Sequence, residues 1–203
     1  TPLWKMPYEE QLEFKYKVVH HFLCNLLKQI LKIDRNLGKL APKLFSWAKT
    51  AKQIHNGACC QLEKIKRSPI ENGYRNKCEF NVGTDKTVGF RLGLYKSGSM
   101  KVAQPPLNSM IISDQMRKGL VMIQKYIKEM SSFQGFNPET NLGHWKQVVI
   151  RTTKNYCMII VFLHPQELST DEIDQEKNKL TNFLAENLDC GVNSMFIHIC
   201  KER

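Results

Sequence analysis

The densest chemistry in this 203-residue chain is the run Ser68-Pro69-Ile70-Glu71-Asn72-Gly73-Tyr74-Arg75-Asn76-Lys77-Cys78-Glu79-Phe80. It interleaves an aromatic ring, two cations, amides and carboxylates, a mixture suited to phosphates, stacked bases and base edges. A solvated edge strand would use the same residue types, so composition alone leaves both readings open. Three further positions have matching chemistry. Trp145-Lys146 stands where a loop enters a strand, and a tryptophan there either packs in a core or stacks on a base. Arg151 belongs with Arg75 and Lys77, as solvated strand residues or phosphate contacts. His164 follows an apolar strand, where a histidine either bonds to backbone or meets a ligand. Glu79, flanked by cations, either orients Arg75 or Lys77 or accepts from a base amine.

Other chemistries find little support. Cys59-Cys60, with His55 four residues earlier, has no partner pair at C-x-x-C spacing, and adjacent cysteines chelate one ion poorly. His20 and His21 are helix neighbours pointing about 100° apart, so both cannot face one metal. No G-x-G-x-x-G or phosphate-binding loop follows a strand into a helix, and no nucleophile-elbow pattern occurs. No complete catalytic centre, metal or cofactor site is therefore expected within these residues. Seven cysteines is an odd number, and Cys24, Cys78, Cys157 and Cys200 lie among apolar residues. Reduced thiols in a cytoplasmic or nuclear protein are the expectation.

The net charge of +11 is carried by one part of the chain. Residues 1–112 hold 19 Lys and Arg against 8 Asp and Glu, whereas residues 113–203 hold 11 of each. Such asymmetry suits a polyanion-facing surface, or alternatively basic helices kept soluble or meeting an acidic protein. No stretch approaches the ~20 apolar residues of a membrane span. The opening residues Thr1-Pro2-Leu3-Trp4-Lys5 resemble no signal or transit peptide and are expected to lie inside a longer chain.

The elements that must position these residues follow from periodicity. Leu12, Tyr16, Val19, Leu23, Leu26, Ile30 and Ile33 recur at steps of four and three, predicting a helix from Tyr8 to Ile33, with a second from about 42 to 55. Strands are predicted over 78–82 and 87–92 around Gly83-Thr84-Asp85, and over 99–103 before Pro105-Pro106. Ser113 caps a helix with Met116, Leu120, Ile123, Ile127 and Met130 on one face. A second hairpin pairs 145–152 with 156–163. Ser169-Thr170-Asp171-Glu172 is a capping box opening a helix with Ile173, Leu180 and Leu184 inward, and 195–199 is a last strand. The order predicts an α+β fold, an antiparallel sheet covered by helices on one face, with an N-terminal helical pair. Residues 1–67 form the basic helical segment and 68–203 the α+β domain, expected to pack as one unit.

The segment Ser-Pro-x-x-x-x-Tyr-Arg-Asn-Lys-Cys-Glu-Phe resembles the hallmark of the RNA uracil-5-methyltransferases, as in their eukaryotic tRNA members. The resemblance continues through Pro2-Leu3-Trp4, Tyr8-x-x-Gln11-Leu12, Thr87-Val88-Gly89-x-Arg91-Leu92-Gly93-x-Tyr95 and Pro138-Glu139-Thr140. It resumes at Gly143-His144-Trp145-Lys146-Gln147, Arg151-Thr152 and His164-Pro165-Gln166-x-Leu168-Ser169. In that family this region is the central domain, just before the methyltransferase domain. Members bind the T-loop of tRNA and methylate a uridine at carbon-5 from S-adenosylmethionine, a Cys attacking carbon-6 and a Glu taking the carbon-5 proton. Those groups belong to the later domain, so the resemblance implies no catalytic or cofactor residue here.

Bacterial ribosomal-RNA relatives hold an iron–sulfur cluster by a C-x-x-C upstream of the hallmark. Here that place reads Gly57-Ala58-Cys59-Cys60-Gln61, and the broken spacing predicts no cluster. In bacterial tRNA relatives an aromatic and a histidine contacting the RNA loop align with Trp145 and His164, and the hallmark carboxylate aligns with Glu79. Asn81 stands where those relatives carry a basic residue. The resemblance thus favours an RNA-binding set of Tyr74, Arg75, Lys77, Glu79, Trp145, Lys146, Arg151 and His164. It implies a tRNA T-arm as partner, with other RNA as a further candidate; a monomer is expected. A basic scaffold or protein-interaction domain is the alternative.

Overall fold

The computed structural model describes residues 3–37, 46–93, 100–106, 108–187 and 191–200. By contact the chain divides into two compact units, Thr1–Pro69 and Ile70–Arg203.

The first unit holds α1 (Tyr8–Leu37) and α2 (Ser46–Ile54). Glu9 and Glu10 in the first turn of α1 favour its positive N-terminal end. Its interior is small: Leu27, Ala48, Ala51 and Ala58 are buried. Of the predicted stripe, Leu12, Tyr16, Leu23 and Ile30 are half-buried, whereas Val19, Leu26 and Ile33 are exposed. Small alanines let the two helices approach, but they leave a 30-residue helix with more apolar surface than α2 covers. The start of the second predicted helix, 42–45, lies outside the described residues. The extended tail of the unit returns to α1, where the Tyr8 hydroxyl accepts from Ser68 N at 3.0 Å and Arg67 pairs with Glu9.

The second unit is one six-stranded sheet with two helices on one face. Its strands are β1 (Lys77–Val82), β2 (Val88–Arg91), β3 (Val102–Ala103), β4 (Trp145–Thr152), β5 (Cys157–Leu163) and β6 (Ser194–Ile199), in the order β3-β2-β1-β4-β5-β6. All neighbours run antiparallel except β5 and β6, which are parallel and joined through α4 (Thr170–Glu186). The fold is the expected α+β arrangement with an N-terminal helical pair. The parallel edge is the one departure from an antiparallel sheet, and it follows from a helix long enough to carry the chain back along the sheet. Strand residues before 100 in the predicted third strand lie outside the described residues.

Strict alternation sends one set of side chains inward. Cys78, Phe80 and Val82, Val148 and Ile150, and Cys157, Ile159, Val161 and Leu163 are buried beneath α3 (Asp114–Lys125) and α4. Both helices start where predicted: Ser113 Oγ accepts from Met116 N at 3.2 Å, and Ser169 with Glu172 completes the capping box. Past Lys125 the helix widens into a π turn, Tyr126–Met130, closed by Ser131 N donating to Tyr126 O. The wider turn shifts the phase, so Tyr126 and Ile127 stay buried while Met130, expected inward, is 59% exposed. The Tyr126 hydroxyl donates to Glu176 Oε1 at 2.9 Å, which gives this otherwise buried carboxylate on α4 a partner. Burial, then the Glu176 charge, drive the Tyr126 phenol far above its ordinary value.

Candidate nucleic-acid interface

The face of the sheet turned away from α3 and α4 is built by the other half of the alternation. Strand register lines it up in rows across β1, β4, β5 and β6: Lys77–Arg151–Met158–Ser194, Glu79–Val149–Ile160–Phe196, and Asn81–Gln147–Phe162–His198. The β1–β4 half is polar. Lys77 Nζ sits 2.6 Å from Glu79 Oε1, and Gln147 Nε2 donates to Glu79 Oε2 at 3.4 Å. The Lys77 hydrogen bond and charge, then Gln147 and the Arg151 charge, hold the Glu79 carboxyl below its ordinary range. Lys77 and Arg151 are like charges directly opposite, which paired strands disfavour. The carboxylate of Glu79 offsets this in the next row, so both cations remain at the surface. Glu79 is thus paired with Lys77 at the surface.

Arg75 and Tyr74 lie on the approach to β1. Gly73, at φ +63°, turns the chain so that Gly73 N and Arg75 N donate to Met110 O and Ile111 O, laying the segment beside Ile112. Tyr74 is 56% exposed, and exposed Arg75 donates through Nε to Lys77 O at 3.0 Å. Five of the eight expected residues thus share one neighbourhood: Tyr74, Arg75, Lys77, Glu79 and Arg151.

His164 and Lys146 form a second cluster at the far end of β4 and β5. The Phe136 ring stacks on His164 at 5.1 Å and 19°, and Lys146 Nζ lies 5.4 Å over the same Phe136 ring. His144 Nδ1 lies 3.0 Å from His164 O, while His164 N donates to His144 O. Gln166, at φ +47°, donates to Asn141 O and Gly143 O and ties the strand end to the preceding loop. That loop packs tightly: a Cβ on Gly135 would strike Gly83 O, and one on Gly143 would strike Gly135 O. His164 Nδ1 is buried and makes no hydrogen bond with the described protein. Desolvation first, then the positive charges of Lys146 and His144, push its imidazole below the ordinary value, which favours the neutral ring.

Trp145 is a correction. Its side chain is 0% exposed, its Nε1 donates to Ser131 Oγ at 2.9 Å, and its ring meets the edge of Tyr126 at 83°. An indole with no free face cannot stack on a base. The cause is a β-bulge: the β4–β5 register shifts between Trp145 and Gln147. Counting back in twos from Arg151 and Gln147 puts residue 145 on the open face, and the extra residue at Lys146 turns it into the core. Trp145 thus supports the site from beneath. The residues that periodicity did not single out are Phe136, which joins Lys146 to His164, and Phe162, Phe196 and His198 on the open face. For the last three the signal was available, in the alternation of β5 and β6.

Among the described residues, no group of three or more His, Cys, Asp or Glu is placed to hold a metal ion, and no helix is long and apolar enough to cross a membrane. The Cys59 thiol is pushed up by burial and by its neighbour Cys60.

No family model matches the chain. It is 40% identical over 179 residues to the tRNA (uracil-5-)-methyltransferase homolog A of Mus musculus, which covers 85% of this chain and 28% of that protein. It is 39% identical over 186 residues to the homolog A of Homo sapiens, covering 89% of this chain and 28% of that protein. The crystal structure of Pyrococcus abyssi tRNA (uracil-54, C5)-methyltransferase with S-adenosyl-L-homocysteine shares the fold. Its TM-score is 0.51 at 16% identity, over 76% of this chain and 33% of that one. The chain is therefore a relative of one segment of the tRNA (uracil-5-)-methyltransferases, spanning 28% of the length of the homolog A proteins it matches.

Among the described residues, the β5-to-α4 connection does not fit the methyl donor of such enzymes. The β5-to-α4 connection has Pro165 and Gln166 in place of a glycine-rich turn. The N-terminus of α4 is filled by the Glu172 carboxylate, which accepts from Ser169 N at 2.9 Å.

Proposed function

We propose that this chain is the RNA-contacting segment of a tRNA uracil-5-methyltransferase, which holds the T-arm while a catalytic domain elsewhere in the whole protein methylates the uridine from S-adenosylmethionine. The observation carrying this reading is that the hallmark cations and carboxylate of a tRNA methyltransferase segment stand exposed on the sheet face turned away from α3 and α4, joined as Lys77–Glu79–Gln147 beside Arg151. A phosphate is matched by the two cations, and base edges by the amide and carboxylate. Arg75 and Tyr74 extend the surface at one end. Lys146 and His164, joined through the Phe136 ring, extend it at the other. The segment itself catalyses nothing.

Competition binding tests this. Folded tRNA or a T-arm hairpin is expected to displace a labelled T-arm at concentrations where heparin of equal charge does not. Arg151→Ala and Lys77→Ala should each reduce the salt slope of log affinity by about 0.7, the value for one phosphate contact on single-stranded RNA. Heparin competing as well as tRNA, with slopes unchanged in both variants, would refute an RNA-reading surface and favour a basic scaffold for an acidic protein.

A further inference from the structure

The apolar half of the open sheet face is left unused by the polar cluster. β5 contributes Met158, Ile160 and Phe162, and β6 contributes Phe196 and His198, while Met195, Ile197 and Ile199 of β6 turn toward the core. Phe196 is 57% exposed and His198 is exposed, and the His198 ring meets Phe162 at 5.0 Å and 45°. Aromatic side chains on a strand that could alternate with polar residues are an expense in solubility that a buried core does not require. They sit in the same register rows as Glu79 and Gln147, so charge and amide groups lie across the sheet from the rings.

We infer that Phe162, Phe196 and His198 form a stacking platform for unpaired bases of RNA, a second recognition surface beside the polar cluster of β1 and β4. This deepens the RNA-binding reading above and rests on it. Three observations favour RNA over a protein partner on this face. The exposed side chains on this face include Phe196 and His198 on β6 and Lys77, Glu79 and Arg151 on β1 and β4, rings and charges about 10–14 Å apart across the sheet. Protein interfaces deplete charge at their centres, whereas single-strand binding sites combine aromatic platforms with cations. Charge complementarity agrees, since Lys77 and Arg151 place two cations opposite each other on this same face. Finally, side chains two apart on one strand are spaced about 7 Å. That spacing seats splayed bases one per ring, as in an unpaired loop, and does not match the continuous stack of a duplex.

The test compares two RNAs of equal phosphate count, a hairpin with an unpaired loop and a blunt duplex, on the protein and on Phe196→Ala, His198→Ala and the double variant. The loop RNA is expected to lose about tenfold in affinity per ring removed, and the duplex to be unaffected. Phe196→Tyr should retain loop binding because it keeps the ring. Thermal melting of each variant controls for folding. Phe196 and His198 are exposed, so little change is expected there, and a Phe196→Tyr protein that melts normally yet fails to bind would overturn the proposal. Equal loop affinity in all variants, with Lys77→Ala and Arg151→Ala still weakening binding, would sink the platform and leave the RNA reading intact. No RNA binding by any form would sink both. A protein that binds RNA normally in the double variant but loses self-association or capture of a separately supplied methyltransferase domain would show a protein dock in place of the platform.

Discussion

The two faces of the sheet draw on the same strands and come to opposite ends. Cys78, Phe80, Val148, Ile150, Ile159 and Val161 vanish beneath α3 and α4, whereas their immediate neighbours Lys77, Glu79, Arg151 and Phe162 form the open face. Burial dominates the first set, and each residue there contributes through excluded water and close packing. Charge, hydrogen bonding and ring faces dominate the second, where each residue contributes little to stability because water competes for the same groups. One substitution on either face should therefore move one property and leave the other.

The largest expected effect is on the covered side. Trp145→Ala should cost about 3–5 kcal/mol of unfolding free energy, the range for removing a large buried aromatic. The folded fraction should bind RNA as the parent does, and urea titration with binding on the same preparation checks both. A loss of affinity at unchanged stability would place Trp145 on the recognition side and break the comparison. Tyr126→Phe comes next. It leaves the buried Glu176 carboxylate without the 2.9 Å donor, an expected cost of about 1–3 kcal/mol. Glu176→Gln in the same background should recover part of it, because a neutral amide suffers less from losing the donor.

At the junction of the two faces, Lys146→Met should raise the His164 imidazole pKa by removing a nearby positive charge, as read by NMR titration of the ring. The sign for stability follows. His164 is depressed below its ordinary 6.5, so its contribution is present above pH 6.5 and is lost as pH falls below it. The substitution should narrow that acid-side loss. The smallest effect belongs to the open side. Glu79 is held below its ordinary 4.5 by Lys77, so its contribution is present above pH 4.5 and is lost as pH falls through the folded value. The pair is about half exposed, so Glu79→Gln should change stability by no more than about 1 kcal/mol at neutral pH and by less in acid.

The candidate site was legible to differing depths. Residue types suggest Tyr74, Arg75, Lys77, Glu79 and Arg151 only weakly and the family resemblance selects them; Lys77, Glu79 and Arg151 share one surface because β1 and β4 pair directly, with Tyr74 and Arg75 on the approach to β1. His164 and Lys146 were found as individuals, but the ring joining them, Phe136, was hidden in a loop whose path no period encodes. Phe196 and His198 are legible in the β6 alternation, where every second residue turns away from the core.

What the sequence by itself determined was local: the caps at Ser113 and Ser169, the hairpins, the inward sets of β1, β4 and β5, and the excess of cations. These depend on hydrogen bonds within a few residues and on a period of two or 3.6, both written in neighbouring positions. Tertiary structure alone decided the bulge that buried Trp145, the π turn that exposed Met130, and the parallel seat of β6 beside β5. Each depends on how surfaces far apart in the chain fill a common core. One extra residue is inserted or a helix widened when packing across the sheet repays the broken ladder, and no local pattern records that balance.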